Sequence, residues 1–94
     1  MKELEALKTE FTIEGTPDTW QVLQHKTGQD FPYKIKQKKE EFVLSKGWSP
    51  RVNIPVRYQQ IKKFKSLEEA YQRIIKQHNK SCEHMPNWNK IELS

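Results

Sequence analysis

The sequence predicts a small α+β domain, in which an antiparallel sheet of three to five strands is covered on one face by a C-terminal helix. Several short segments alternate apolar and polar residues with the period of two that is typical of strands. An amphipathic helical pattern follows them at residues 67–79. We expect the 94 residues to form a single domain with an ordered core at about 10–80, because so short a chain builds only one core.

Five segments show the strand pattern, and turn-forming residues separate them. The most regular alternation lies at residues 51–59, where Val52, Ile54, Val56 and Tyr58 share one face. The same periodicity predicts that Trp20 and Tyr58 are core residues. The predicted strands cover residues 10–14, 19–25, 31–36, 41–46 and 51–59.

Helical patterns lie at both ends of the chain. Residues 2–11 indicate a frayed helical turn, too short to be stable unless it is docked. The C-terminal helix has Ser66 as its N-cap and Glu69 three residues later, which is a capping box. Its predicted apolar face is Leu67, Ala70, Tyr71, Ile74, Ile75 and His78. Residues 81–94 form a polar tail, and we expect its apolar side chains either to pack on the core or to contact a partner: Met85, Trp88, Ile91 and Leu93.

Positive charge is concentrated in the middle of the chain. The net charge is +5, but residues 33–65 carry ten basic and two acidic side chains, a local charge of +8. Residues 1–32 carry three basic and six acidic side chains, and residues 66–94 carry four of each. A basic sheet face attracts polyanions. The alternative is that these lysines only keep an exposed face soluble and protect edge strands from pairing.

The charge pattern favours a non-catalytic binding module that holds nucleic acid on a basic sheet face. In this hypothesis, Trp48 stacks on a base from a Gly/Pro loop beside Arg51, unless it folds back onto the sheet as core. The alternative function is a small regulatory, inhibitory or accessory protein that binds an acidic protein partner. The candidate nucleic-acid-binding residues are Lys34, Lys36, Trp48, Arg51, Arg57, Lys62 and Lys63.

The junction of the last strand with the helix resembles a known kind of DNA-binding module. Residues 58–71 read YQQIKKFKSLEEAY. They are similar to the last strand and helix of AP2-type and integrase arm-type modules, in which Phe, Ser or Thr, an acidic pair and Ala open a helix behind a three-stranded sheet. The resemblance implies that basic outer faces of the strands enter the DNA major groove. Here those candidates are Lys34, Lys36, Arg51 and Arg57.

No common catalytic motif is present, neither a nucleotide-binding glycine pattern nor a GxSxG or HExxH sequence, so we expect no enzyme and no cofactor. His78, Cys82 and His84 are the one group with zinc-ligand chemistry. Because all three lie within seven residues and no second cysteine exists, we expect a solvated helix end and no metal.

Composition also bears on the cellular compartment. The single cysteine, Cys82, forms no intrachain disulfide, which is typical of a reducing compartment. No apolar run reaches the about 20 residues of a transmembrane helix, and the acidic N-terminus lacks a signal-peptide core. We expect a cytoplasmic monomer or homodimer with no membrane partner.

Overall fold

The structure, a computed structural model, describes residues 1–92 and has the predicted α+β fold. Its five strands form one antiparallel sheet in which each strand pairs with its neighbour in sequence. Both helices contribute to the one core that lies on a single face of this sheet. The elements are α1 (Lys2–Leu7), β1 (Phe11–Thr16), β2 (Trp20–His25), β3 (Tyr33–Lys38), β4 (Glu41–Trp48), β5 (Arg57–Phe64) and α2 (Leu67–Ser81).

Helix α2 begins and buries its apolar face as the sequence predicts. Ser66 is extended, at φ −130° and ψ 151°, and its Oγ accepts a hydrogen bond of 3.2 Å from the Glu69 N–H. That bond satisfies a donor that the first helical turn would otherwise leave unpaired. Tyr71 has no solvent exposure, and its hydroxyl donates to the Gln21 side-chain oxygen of β2. The buried residues of the helix are Ala70, Tyr71, Ile74, Ile75 and His78.

Both ends of the described chain join this core. Leu7 of α1 is fully buried, and the Gln72 amide of α2 donates to the Glu3 carboxylate at 3.0 Å. Trp88 and Ile91, which follow α2, are only 7% and 5% exposed. Of the two expectations for the tail, packing on the core is the one observed for these two residues. Leu93 lies outside the described residues.

The predicted strand at residues 51–59 is wrong over residues 51–56, and only its last three residues belong to a strand. Strand β5 runs from Arg57 to Phe64, and residues 49–56 form a loop in which Val52 is fully exposed. The Ser49 hydroxyl lies within hydrogen-bond distance of the Arg51 and Ile54 carbonyls and closes this loop. Pro55 has no N–H to donate to a neighbouring strand. The edge of β4 with which this segment would pair is already occupied by residues 57–64. Regular alternation therefore occurs here without a strand.

The predicted core positions of Trp20 and Tyr58 are also wrong. Their exposures are 44% and 39%. Strand β2 pairs Leu23 with Tyr33, so that Leu23 shares the helix-covered face of β3 and Trp20 points to the other side. Phe31, the first residue of the predicted strand at 31–36, precedes β3 and is 42% exposed.

A bulge in β5 sets which of its side chains face the helices. Leu44 pairs with Lys62 but Ser45 pairs with Gln60, which leaves Ile61 as the extra residue. In a regular strand, Tyr58 and Phe64 would share a face, since they are six residues apart. The bulge allows Phe64 to be buried while Tyr58 faces outward.

The β1–β2 turn requires glycine at position 15. Gly15 has φ +90°, and a Cβ there would lie 2.1 Å from the Trp20 carbonyl oxygen. Gly28 has φ +70° but no atom within 4 Å of such a Cβ. We expect Gly28→Ala to lower the free energy of unfolding by about 1–2 kcal/mol through backbone strain, and Gly15→Ala by about 3 kcal/mol or more through strain plus overlap. Urea unfolding of both variants measures this difference, and equal losses would contradict it.

Candidate functional site

The sheet face opposite the helices carries the candidate binding surface. The molecule is a thin slab of 38 × 37 × 19 Å, and both helices lie on the other side of the sheet. At one end the surface meets the 49–56 loop, where a Cβ at Gly47 would lie 2.7 Å from Val56. We call this surface the open face and define it by ten residues: Trp20, Val22, Lys34, Lys36, Lys38, Val43, Ser45, Tyr58, Gln60 and Lys63.

Four lysines give the open face its charge. Lys34, Lys36 and Lys38 alternate along β3, about 6.7 Å apart along the strand. Lys63 of β5 joins them across the sheet, because Val43 pairs with Lys36 on one side and with Lys63 on the other. None of these four lysines forms an ion pair with any residue of 1–92.

Two exposed aromatic rings flank the first of these lysines. The Lys34 ammonium lies 5.2 Å from the Tyr58 ring centroid and 6.0 Å from that of Trp20. Both distances are within the range of a cation–π contact. The open face thus presents two partly solvated rings with a cation between them.

A shallow depression lies between β3 and β5. Ser45, with its short side chain, pairs with Lys34 and with Gln60, so that the neighbouring long side chains form the walls. The volume is about 330 Å³, near the lower limit of ordinary ligand pockets. The walls carry all four open-face lysines and Tyr58.

Three of the seven sequence-predicted binding residues meet on the open face: Lys34, Lys36 and Lys63. Lys62 is on the opposite side, because the bulge pairs it with buried Leu44, and its ammonium lies 5.5 Å from the Phe64 ring. The sequence argument missed Lys38, Trp20 and Tyr58. The pairing register of β2 and β5 places both rings outward. The amino-acid sequence alone does not determine that register.

The other three predicted residues lie near the end of the β4–β5 ladder. Trp48 pairs with Arg57 in the register next to the outward pair Gly47–Tyr58, so both belong to the opposite side of the sheet. Trp48 is 42% exposed and is therefore not the core residue that the alternative interpretation expected. Arg51 lies on the exposed 49–56 loop.

The candidate metal residues from the sequence are only partly together. Cys82 Sγ lies 3.5 Å from His78 Nε2, whereas His84 is exposed and borders a separate surface hollow. The expected solvated helix end is wrong for His78, which is 2% exposed. The fold instead brings His25 and Glu10 to it, with one ligand-type atom of each of the three residues within 4.8 Å of the others.

Aromatic rings enclose this buried group. The Trp88 ring lies nearly parallel to His25 and His78, with centroid distances of 4.0 and 5.1 Å. Burial, with a smaller effect from His78, lowers the pKa of His25, so its imidazole is neutral at physiological pH. Burial also raises the pKa of the Cys82 thiol, which disfavours a reactive thiolate there.

Comparison of the chain with protein-family models, with curated proteins and with solved structures found no match. Within residues 1–92, neither helix combines the length and the apolar character that crossing a bilayer requires.

Trp20 and Trp88, which lie on opposite sides of the sheet, differ in their contribution to stability. We expect Trp88→Ala to lower the free energy of unfolding by about 3–5 kcal/mol, because this ring is buried. Its Nε1 also donates to Thr27 Oγ1 and Gln29 Oε1. Trp20→Ala should cost only about 1 kcal/mol, since nearly half of its side chain is already in water. Chemical denaturation of both variants tests the assignment, and a larger loss at Trp20 would contradict it.

Proposed function

We propose that this chain is a non-catalytic nucleic-acid-binding module that uses the open face. The observation that carries the proposal is the position of Lys34 between the exposed rings of Trp20 and Tyr58, beside three further lysines that have no ion-pair partner among residues 1–92. Cations that contact phosphates and rings that stack on bases are the two components of single-strand binding surfaces.

The charges of the open face fit a polyanion. Glu14 of β1 and Glu41 of β4 also point to this side of the sheet, but both lie at its margins. Four lysines against two marginal carboxylates leave a positive surface. Each phosphate that a lysine neutralises releases a condensed counterion, which favours binding at low salt.

The shape of the open face favours a single strand. Five strands about 4.8 Å apart span about 19 Å, whereas the major groove is about 12 Å wide. The whole face therefore cannot enter a groove, although the three strands β3–β5 could, as the resemblance to AP2-type and integrase arm-type modules implies. Unpaired bases, by contrast, can lie flat on Trp20 and Tyr58.

Removing open-face lysines should weaken binding and reduce its salt dependence. We expect the triple variant Lys34→Gln/Lys36→Gln/Lys63→Gln to flatten the slope of log K against log salt by about 2, the single-strand value for three lost phosphate contacts. Fluorescence anisotropy with labelled single- and double-stranded DNA and RNA, at about 50 and 200 mM salt, measures this.

A matched control separates local contacts from net charge. Lys8→Gln/Lys80→Gln/Lys90→Gln removes the same charge from exposed positions in or beside the helices and the tail, off the open face. Its slope should change by less than about 1. Equal effects of the two triple variants, or no binding by the wild type at low salt, would overturn the proposal.

The exposed rings should contribute affinity that salt does not remove. We expect Trp20→Ala and Tyr58→Ala each to weaken single-strand binding by about 1–3 kcal/mol, or about 5- to 150-fold, with an unchanged salt slope. Trp48→Ala is the matched control, because Trp48 is similarly exposed but lies off the open face. Weaker binding only in the Trp48 variant would move the stacking position to the end of β4.

A second candidate function rests on an apolar patch beside the open face. Phe31, Val52 and Val56 are 42%, 102% and 40% exposed and border a hollow of about 410 Å³. Solvated apolar clusters of this kind mark protein interaction surfaces. If this patch binds a protein, that protein should remain bound after nuclease treatment and in the open-face lysine triple variant, and should be lost in Val52→Asp. The opposite pattern would support binding of nucleic acid to the open face.

A further inference from the structure

Each of the two buried histidines has one ring nitrogen engaged and the other without a partner. His25 Nδ1 lies 2.8 Å from Thr27 Oγ1, and His78 Nε2 lies 2.7 Å from the Asn89 carbonyl oxygen. The remaining atoms, His25 Nε2 and His78 Nδ1, are buried and have no hydrogen-bond partner among residues 1–92. Such atoms are uncommon in folded proteins and require an explanation, and an ion is one.

A carboxylate lies near the engaged nitrogen of His78. Glu10 Oε1 lies 3.9 Å from His78 Nε2 and accepts a hydrogen bond of 2.8 Å from the Asn89 N–H. The three residues come from the residue before β1, the end of β2 and the last turn of α2, so three parts of the chain converge here. The aromatic rings of Phe11 and Trp88 pack against both histidines.

We propose that Glu10, His25 and His78 bind one Zn²⁺ or a similar first-row divalent ion. Two imidazoles and one carboxylate are ligands that zinc takes, whereas Ca²⁺ and Mg²⁺ prefer oxygen ligands. Ligand atoms about 2.0–2.2 Å from one ion lie about 3.4 Å apart in a tetrahedral site. The three ligand atoms here are separated by up to 4.8 Å, so ion binding must shorten the longest separation by about 1.4 Å, which side-chain rotation provides.

The oxygens around the two rings fit this assignment. A metal-bound imidazole donates its second ring N–H to an oxygen that orients it. The Asn89 carbonyl is placed to accept from His78 Nε2–H, which leaves Nδ1 as the metal-binding nitrogen of that ring. In this structure the Thr27 backbone N–H donates to His25 Nδ1 at 3.2 Å, so the proton of that ring is on Nε2. Metal binding at His25 Nε2 therefore moves this proton to Nδ1, which lies 2.8 Å from Thr27 Oγ1.

The test is metal binding by the full chain, freed of any purification tag and stripped with a chelator. Co²⁺ absorption in the visible range reports inner-sphere nitrogen and oxygen ligands, and competition with Zn²⁺ gives the zinc Kd. We expect one ion per chain. With free Zn²⁺ at about 100 times Kd, the unfolding midpoint should rise by about 14 °C.

Variants assign the ligands. Glu10→Gln, His25→Gln and His78→Gln should each weaken Zn²⁺ binding by about 100-fold or more. Cys82→Ser and His84→Gln are the matched controls, close in sequence to His78 but outside the proposed ligand set, and their Kd should stay within about 3-fold of the wild type. If a histidine variant fails to fold, Glu10→Gln still tests the set, because Glu10 lies at the edge of the cluster and is partly exposed.

Three results would overturn the proposal. These are no saturable binding at one ion per chain, binding that survives all three ligand substitutions, and loss of binding in Cys82→Ser or His84→Gln. Nucleic-acid binding plays no part in these measurements, so the zinc site and the function of the open face fail or succeed independently.

Discussion

The packing of α2 against one face of the sheet is the constraint on which the rest of the structure depends. Its fifteen residues form a rod about 22 Å long, which is as long as a five-stranded sheet of about 19 Å is wide. Tyr71 fixes the two layers through full burial and its hydrogen bond to Gln21. With both helices used on this side, the opposite face remains in water. Lysines and aromatic rings can stand there at little cost in stability.

The elements that the sequence predicts correctly are those in which several local signals agree. For α2, the cap at Ser66, the acidic first turn and the apolar period all indicate the same helix. The segment at 51–59 had periodicity alone, and periodicity does not say whether a neighbouring edge is available for pairing. Once β4 pairs with residues 57–64, Val52 and Val56 have no strand to join.

The candidate sites depend on information that the sequence holds only weakly. To place Trp20 in the core, one must choose which alternate set of β2 side chains faces inward. Val22 belongs to the same set as Trp20 and Leu23 to the other, and both residues are apolar. A single bulged residue, Ile61, decides that Lys63 and not Lys62 shares the open face with Tyr58. The buried cluster was less accessible still, since His25 and Glu10 lie far from His78 in sequence and only the tertiary fold unites them.

The connectivity of the chain also orders the events of folding. Every strand pairs with its sequence neighbour, and such local ladders close quickly. The hydrogen bond from Asn89 to Glu10 instead joins residues 79 positions apart, which carries a larger loop-closure entropy. We expect the C-terminal segment to dock after the sheet has formed. Contacts made this late act on the unfolding rate rather than the folding rate, so the segment around Trp88 controls how long each native molecule persists.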